Sequence, residues 1–214
     1  MFGSMGNERL LLFVEGRNDK EVIYRIENHY RLAGICDVKE MGSDSEAFEA
    51  FTLYLNEQAS KADRVGLVID ADQDFNNRWK SIRLALTNSN NYSVPLNFPP
   101  EGLILDSNTP NKPKIGVWIM PNNSSVGMLE DFLIKMVPGD DDLIPEVTKA
   151  LNDIEALGKN RYKKIHRSKA WMHTYLAWQD EPGNTLATAV ASFQLNSSAA
   201  IVKSFADWMV RLYR

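Results

Sequence analysis

Three acids stand at alternate positions behind an apolar run in Val65-Gly66-Leu67-Val68-Ile69-Asp70-Ala71-Asp72-Gln73-Asp74. If the run is a buried strand, Asp70 and Asp72 leave its carboxyl end on one side, because strand side chains repeat every two residues. Asp74 extends the row only if the backbone stays extended. Carboxylates crowded in this way repel one another and are costly to desolvate. A divalent cation relieves both problems, and oxygen ligands suit Mg²⁺ or Mn²⁺. The plainer reading is a turn or a helix cap, with Asp74 capping a helix that starts near Phe75.

A second acid follows another apolar run. Glu15 ends Leu10-Leu11-Leu12-Phe13-Val14, and Gly16 permits a sharp exit from that strand. Asp19 lies about one helical turn further on. In open parallel sheets, sites form beyond the carboxyl ends of strands. If these two strands are neighbours, Glu15 converges with the Asp row. Between Gly158 and Trp171 stand Lys159, Arg161, Lys163, Lys164, His166, Arg167 and Lys169. They form a solvated face, a salt-bridging partner for Asp140-Asp141-Asp142, or a phosphate clamp with Tyr162 and Trp171 as stacking surfaces. Lys169 is the residue best suited to stabilise charge on a transferring phosphoryl group. His29, His166 and His173 are too scattered for a histidine metal motif. Trp118, Trp171, Trp178 and Trp208 are read as core residues.

The elements that must position these groups alternate. The Leu10 strand leads to a helix capped by Asn18 or Asp19, with Val22, Ile23, Ile26 and Tyr30 on one face and Gly34 at its end. A strand near 37–41 follows. A helix opened by Ser43 or Asp44 comes next, with Phe48, Phe51 and Leu55 inward. The Val65 strand and a helix from about Phe75 to Thr87 complete the series. This alternation predicts a mainly parallel α/β sheet with right-handed crossovers. Residues 88–113 read as a long loop with an edge strand at 102–105, and 114–120 as another buried strand halted by Pro121. Helices are expected over 128–137, 143–157, 168–178, 185–193 and 197–212. The expected division is an α/β core over 7–137 and a helical carboxyl-terminal part, 138–214, packed on it rather than independent. Residues 1–6 are set aside as a flexible start.

The chain has 214 residues, of which 44% are hydrophobic, enough for one substantial core. A net charge of -4 argues against a generally basic nucleic-acid coat but permits a local basic groove. The single cysteine, Cys36, excludes an internal disulfide and a cysteine zinc site. No run of 18 apolar residues and no signal-like start occur, so the expected location is the cytoplasm, off the membrane.

Phe13-Val14-Glu15-Gly16-Arg17-Asn18-Asp19, followed by Val68-Ile69-Asp70-Ala71-Asp72-Gln73-Asp74, resembles the TOPRIM domain of topoisomerases, primases, overcoming-lysogenization-defect nucleases and ribosomal-RNA maturases. The resemblance covers about Leu10 to Lys135 and implies a Rossmann-like sheet. The whole chain also looks like an uncharacterised stand-alone TOPRIM-like bacterial family with a Trp-Ile-Met-Pro strand end and a Leu-Glu-Asp-Phe segment. The resemblance implies that Glu15 is a general acid/base or metal ligand and that Asp70 and Asp72 bind Mg²⁺ or Mn²⁺. In the nuclease branch it adds Asp19, with Glu130 as the further acid and a lysine resembling Lys169. Asp74 is not strictly needed by the pattern. The chain has neither a topoisomerase cleavage domain nor a primase zinc module. It also lacks a Walker lysine loop, so any ATP hydrolysis would come from a partner ATPase. Paired acids at strand ends also occur in sugar-nucleotide transferases and aspartyl phosphatases, but Gln73-Asp74 departs from the latter pattern.

The expectation is a metal-dependent nuclease, with Glu15 and Lys169 in the chemistry and Glu15, Asp19, Asp70, Asp72, Asp74 and Glu130 as the metal-binding set. The competing expectation is a non-catalytic or partner-activated module that binds nucleic acid, DNA or RNA, or another protein.

Overall fold

A computed structural model of the chain describes residues 9–57 and 60–214. Residues 1–6, expected to be a flexible start, and the first two residues of the expected core lie outside the described residues. Five strands form one sheet in the order β2-β1-β3-β5-β4. They are β1 (Leu10–Val14), β2 (Asp37–Glu40), β3 (Arg64–Asp70), β4 (Leu103–Leu105) and β5 (Lys114–Met120). All pairs are parallel except β4 with β5. The antiparallel partner is the short edge strand expected from the Leu103 run.

The interior strands read as continuous apolar runs because both faces of the sheet are covered. Leu12, Val14, Val68 and Trp118 face one layer, while Leu11, Phe13, Val65, Leu67 and Val117 face the other. The second layer is built by α2 (Asp44–Asn56) and α3 (Phe75–Asn88) through Phe51, Leu55, Trp79 and Ile82. The first is built by α1 (Arg17–His29) and the carboxyl-terminal helices. These are α4 (Leu129–Ile134), α5 (Leu143–Ala156), α6 (Arg167–Ala177), α7 (Leu186–Ala191) and α8 (Ala200–Tyr213), with a 3₁₀ turn at Lys164–His166 before α6.

One apolar cluster runs without a break from Leu12 and Trp118 into Phe205, Trp208 and Leu212 of α8. Two glycines make that contact possible. Gly66 and Gly116 are paired neighbours on β3 and β5. A Cβ at Gly66 would stand 2.6 Å from Leu12 Cδ1 and collide with the Tyr213 hydroxyl, and one at Gly116 would stand 2.6 Å from Leu212 Cδ2. The paired glycines therefore form a trough in which α8 lies. Tyr213 donates a 2.6 Å hydrogen bond to the Leu11 carbonyl across it.

Several local expectations change. Helix α1 begins at the extended Gly16, and Asp19 turns back to accept from the Gly16 N–H at 3.2 Å. It ends at Tyr30, and Arg31 rather than Gly34 takes the first left-handed position, at φ 57°. Helices α4 and α7 are shorter than expected. Trp178 is 44% exposed, so it is not the core residue that its helical spacing suggested.

Candidate functional site

Strand β1 pairs with β2 on one side and β3 on the other, so the chain reverses its winding direction about β1. The crossover helices leave on opposite faces, and a crevice opens beyond the carboxyl ends of β1 and β3. Glu15 and Asp70 stand at its two lips. Glu15, Asp19, Asp70, Glu130 and Lys169 line one cleft of about 240 Å³ there. Each comes from a separate place: the residue after β1, the first turn of α1, the end of β3, the first turn of α4 and the first turn of α6.

The electrostatics are those of crowded, partly desolvated carboxylates. Burial pushes Asp70 well above the usual carboxylate range, and Asp19, Glu15, Asp72 and Glu130 add repulsion. Among the described residues, the Asp70 side chain has no hydrogen bond or ion pair. Asp19 is pushed up to about 6, first by burial and then by Glu15, against the pull of the Gly16 N–H. Glu15 is raised by burial, then by Asp44 and Asp72, while Lys169 and Arg78 draw it down. Glu130 is 3% exposed and meets the Lys169 ammonium at 3.3 Å.

The Asp row does not remain one row. Strand β3 stops at Asp70, and Asp72 takes a left-handed φ of 53°. Its backbone exchanges two hydrogen bonds with Gly127, at 2.9 and 2.8 Å. The two-residue repeat of an extended strand is lost, so Asp72 does not follow Asp70 into the cleft. Its carboxylate instead meets Arg78 at 2.9 Å, and the same guanidinium holds Asp44 at 2.8 Å. Asp74 caps α3, accepting from Asn77 N at 2.9 Å and Asn77 Nδ2 at 2.7 Å, and does not line the cleft. Among the described residues, no three His, Cys, Asp or Glu side chains are gathered as a ready-made metal cage.

The basic segment agrees with the solvated-face expectation and not with a pairing to Asp140-Asp141-Asp142. Asp141 accepts from the Tyr175 hydroxyl and the Leu143 N–H rather than from a cation. Arg167 pairs with Glu155 at 2.9 Å. Lys159, Arg161, Lys163 and Lys164 are exposed and have no ion-pair partner among the described residues. Trp171 is buried, stacked on Tyr175 at 5.4 Å, and Tyr162 is tied to Glu155, so neither presents a free stacking face.

The family described as "Protein of unknown function (DUF3226)" matches residues 9–214. The chain belongs to this family. A comparison with curated proteins gave no match, and neither did a comparison with solved structures.

Sequence reasoning passed over two residues of this DUF3226 site. Arg78 lies six residues past Asp72, a spacing that no strand or helix rule connects. Asp44 was read only as a helix-cap candidate, although it faces Glu15 as well as Arg78. The one available signal was that a lone arginine in the first turn of α3 opposes the usual preference for acids at a helix start.

Proposed function

We propose that the chain is a TOPRIM-like, divalent-cation-dependent phosphodiesterase acting on nucleic acid. The observation that carries the reading is the convergence of Glu15, Asp19, Asp70 and Glu130, from four elements, on one cleft at the switch point of a parallel sheet. The donor set fits Mg²⁺ or Mn²⁺: all donors are oxygens, and they repel one another at close quarters. Asp70, partly buried and without a hydrogen-bond partner among the described residues, is the side chain that most needs a cation. Asp70, Glu15, Asp19 and Glu130 are the residues that would hold the ion, by closing in on it, since no three of them are gathered for it in this structure. Asp72, paired with Arg78, stays within electrostatic reach of Glu15 and Asp70.

When bound, such an ion activates water and neutralises charge on the phosphate. The side chains supply the rest. Glu15, only half-buried and raised above its ordinary range, is suited to hold or release a proton at the cleft mouth. Lys169 brings an ammonium to the same cleft, where it can meet a phosphate oxygen. Lys163 and Lys164 precede Lys169 by less than two helical turns. Their unpaired charges supply the attraction for a polyanion that the net charge of -4 does not.

The test is cleavage of DNA and RNA oligonucleotides by the purified chain with Mn²⁺ or Mg²⁺. Asp70→Ala is expected to lower the rate by about 10²–10³ or more, as for loss of one strong electrostatic contact to the transition state. Unchanged cleavage by Asp70→Ala rejects the site. A second reading, a module activated by a partner such as an ATPase, is favoured by one observation: the acids line the cleft without closing into a cage. It predicts salt-sensitive nucleic-acid binding by the isolated chain, with no turnover until the partner is added.

A further inference from the structure

A second cleft, of about 320 Å³, opens beside the acidic one. It lies between the first turn of α1, the second half of α6 and the turn leading into α7, and Asn18 borders both clefts. Along α6, Lys169 faces the acidic cleft and His173 the second. They stand four positions apart, a rise of about 6 Å along one helix face.

The walls of this cleft are apolar. Leu176 and Leu186 are each 2% exposed, and Ala177 between them is small. The rim is polar and only partly committed: Thr185 caps α7, accepting from the Thr188 N–H at 3.1 Å. Asn18 and His173 are exposed, and neither side chain has a hydrogen bond or ion pair among the described residues. Asn184 donates to Gln194 Oε1 at 3.2 Å, which leaves its carbonyl oxygen open. No Asp, Glu, Lys or Arg lines the cleft. That composition disfavours a second phosphate or a cation. Apolar walls, an imidazole face and amides that both donate and accept are what recognises a flat heteroaromatic ring.

We propose that this cleft is a nucleobase subsite, holding the base of the nucleotide whose phosphate lies against Lys169 and the acids. A base held there has left its stack, so the preferred substrate is single-stranded or locally unpaired nucleic acid. The phosphate's position rests on the phosphodiesterase reading above; the affinity for a base does not.

The experiment follows the imidazole NMR signals of the full chain, with the His173 signal identified through His173→Ala. The probes are adenosine, uridine, their 5′-monophosphates and ribose 5-phosphate. The nucleosides and nucleotides are expected to shift the His173 signal, and the nucleotides to bind about ten-fold or more tighter than ribose 5-phosphate, the scale of one stacked base. Asn18→Ala and Ala177→Trp, at exposed positions, should bring the nucleotides down to the level of ribose 5-phosphate with an unchanged circular dichroism spectrum. A His173 signal indifferent to nucleosides and nucleotides at millimolar concentration overturns the subsite, whether or not the chain cleaves oligonucleotides. Base binding at His173 with no metal-dependent cleavage keeps the subsite and counts against the phosphodiesterase.

Discussion

Glu27 offers a stability test that is independent of the cleft. It lies on α1, 1% exposed, and burial pushes its carboxyl up to about 7. The Gly34 N–H and the Cys36 thiol, at 3.7 Å, donate to it, and no cation faces it among the described residues. Its folded pKa is higher than its unfolded one, so the folded state binds the proton more tightly. The stability this confers is complete below pH 4.5 and is lost as pH rises through about 7. A rise from 4.5 to about 7 amounts to about 3 kcal/mol at 1.36 kcal/mol per pH unit. Glu27→Gln keeps the shape and the acceptor but cannot ionise. At pH 8 the variant should be more stable than the parent by about 1–3 kcal/mol, after subtracting the cost of seating an amide N–H without an assured partner. Near pH 4.5 only the cost of the amide remains, so the variant should there be equal to the parent or less stable by about 1–2 kcal/mol. Urea unfolding at pH 4.5, 6, 7 and 8 measures the gap directly. A gain of about 2 kcal/mol corresponds to a rise of about 4–8 °C in Tm for a chain of this length. Stability curves that stay parallel from pH 4.5 to 8 would refute the reasoning, since they would mean that Glu27 titrates alike in both states.

Three further outcomes are expected. Asp74→Ala should cost about 1 kcal/mol through loss of the α3 cap and leave metal-dependent cleavage unchanged; a large loss of cleavage would return Asp74 to the metal set. Lys163→Ala with Lys164→Ala should flatten the salt dependence of single-strand binding by about 1.4 in slope, measured by fluorescence anisotropy between low and moderate salt, without altering the fold. Gly66→Ala should destabilise by about 1–3 kcal/mol in urea unfolding, because its methyl group meets Leu12 and Tyr213 in a filled trough.

Much of this architecture was legible because apolar runs and turn residues report burial directly. Leu10–Val14 and Val65–Ile69 are buried on both faces and read as such, and the strands they predict are hydrogen-bonded neighbours. Glu15 and Asp70 followed, because each stands where a buried run meets solvent. Periodicity carried Asp72 into line with Asp70 because it assumes a continuing strand, whereas Asp74 caps α3 as its plainer reading had it. The left-handed turn at Asp72 is set by its pairing with Gly127, a contact 55 residues away in sequence that no local pattern encodes. For the same reason, Arg78 and the cleft beside His173 depend on helix packing and have no spacing signature. Trp178 failed in the opposite sense, since helical spacing places a side chain on a face without saying what covers that face.

Helix α8 ends at the amino end of β3, where Arg64 donates to the Leu212 and Arg214 carbonyls at 2.9 and 3.1 Å. The acidic cleft lies at the other end of the same strand, beyond Asp70. Anything joined after Arg214, such as an affinity tag, a fluorescent reporter or a surface linker, would therefore emerge on the side of the sheet away from the cleft. A protein immobilised by that end would present the cleft to solution, a practical orientation for single-molecule or surface-based binding measurements.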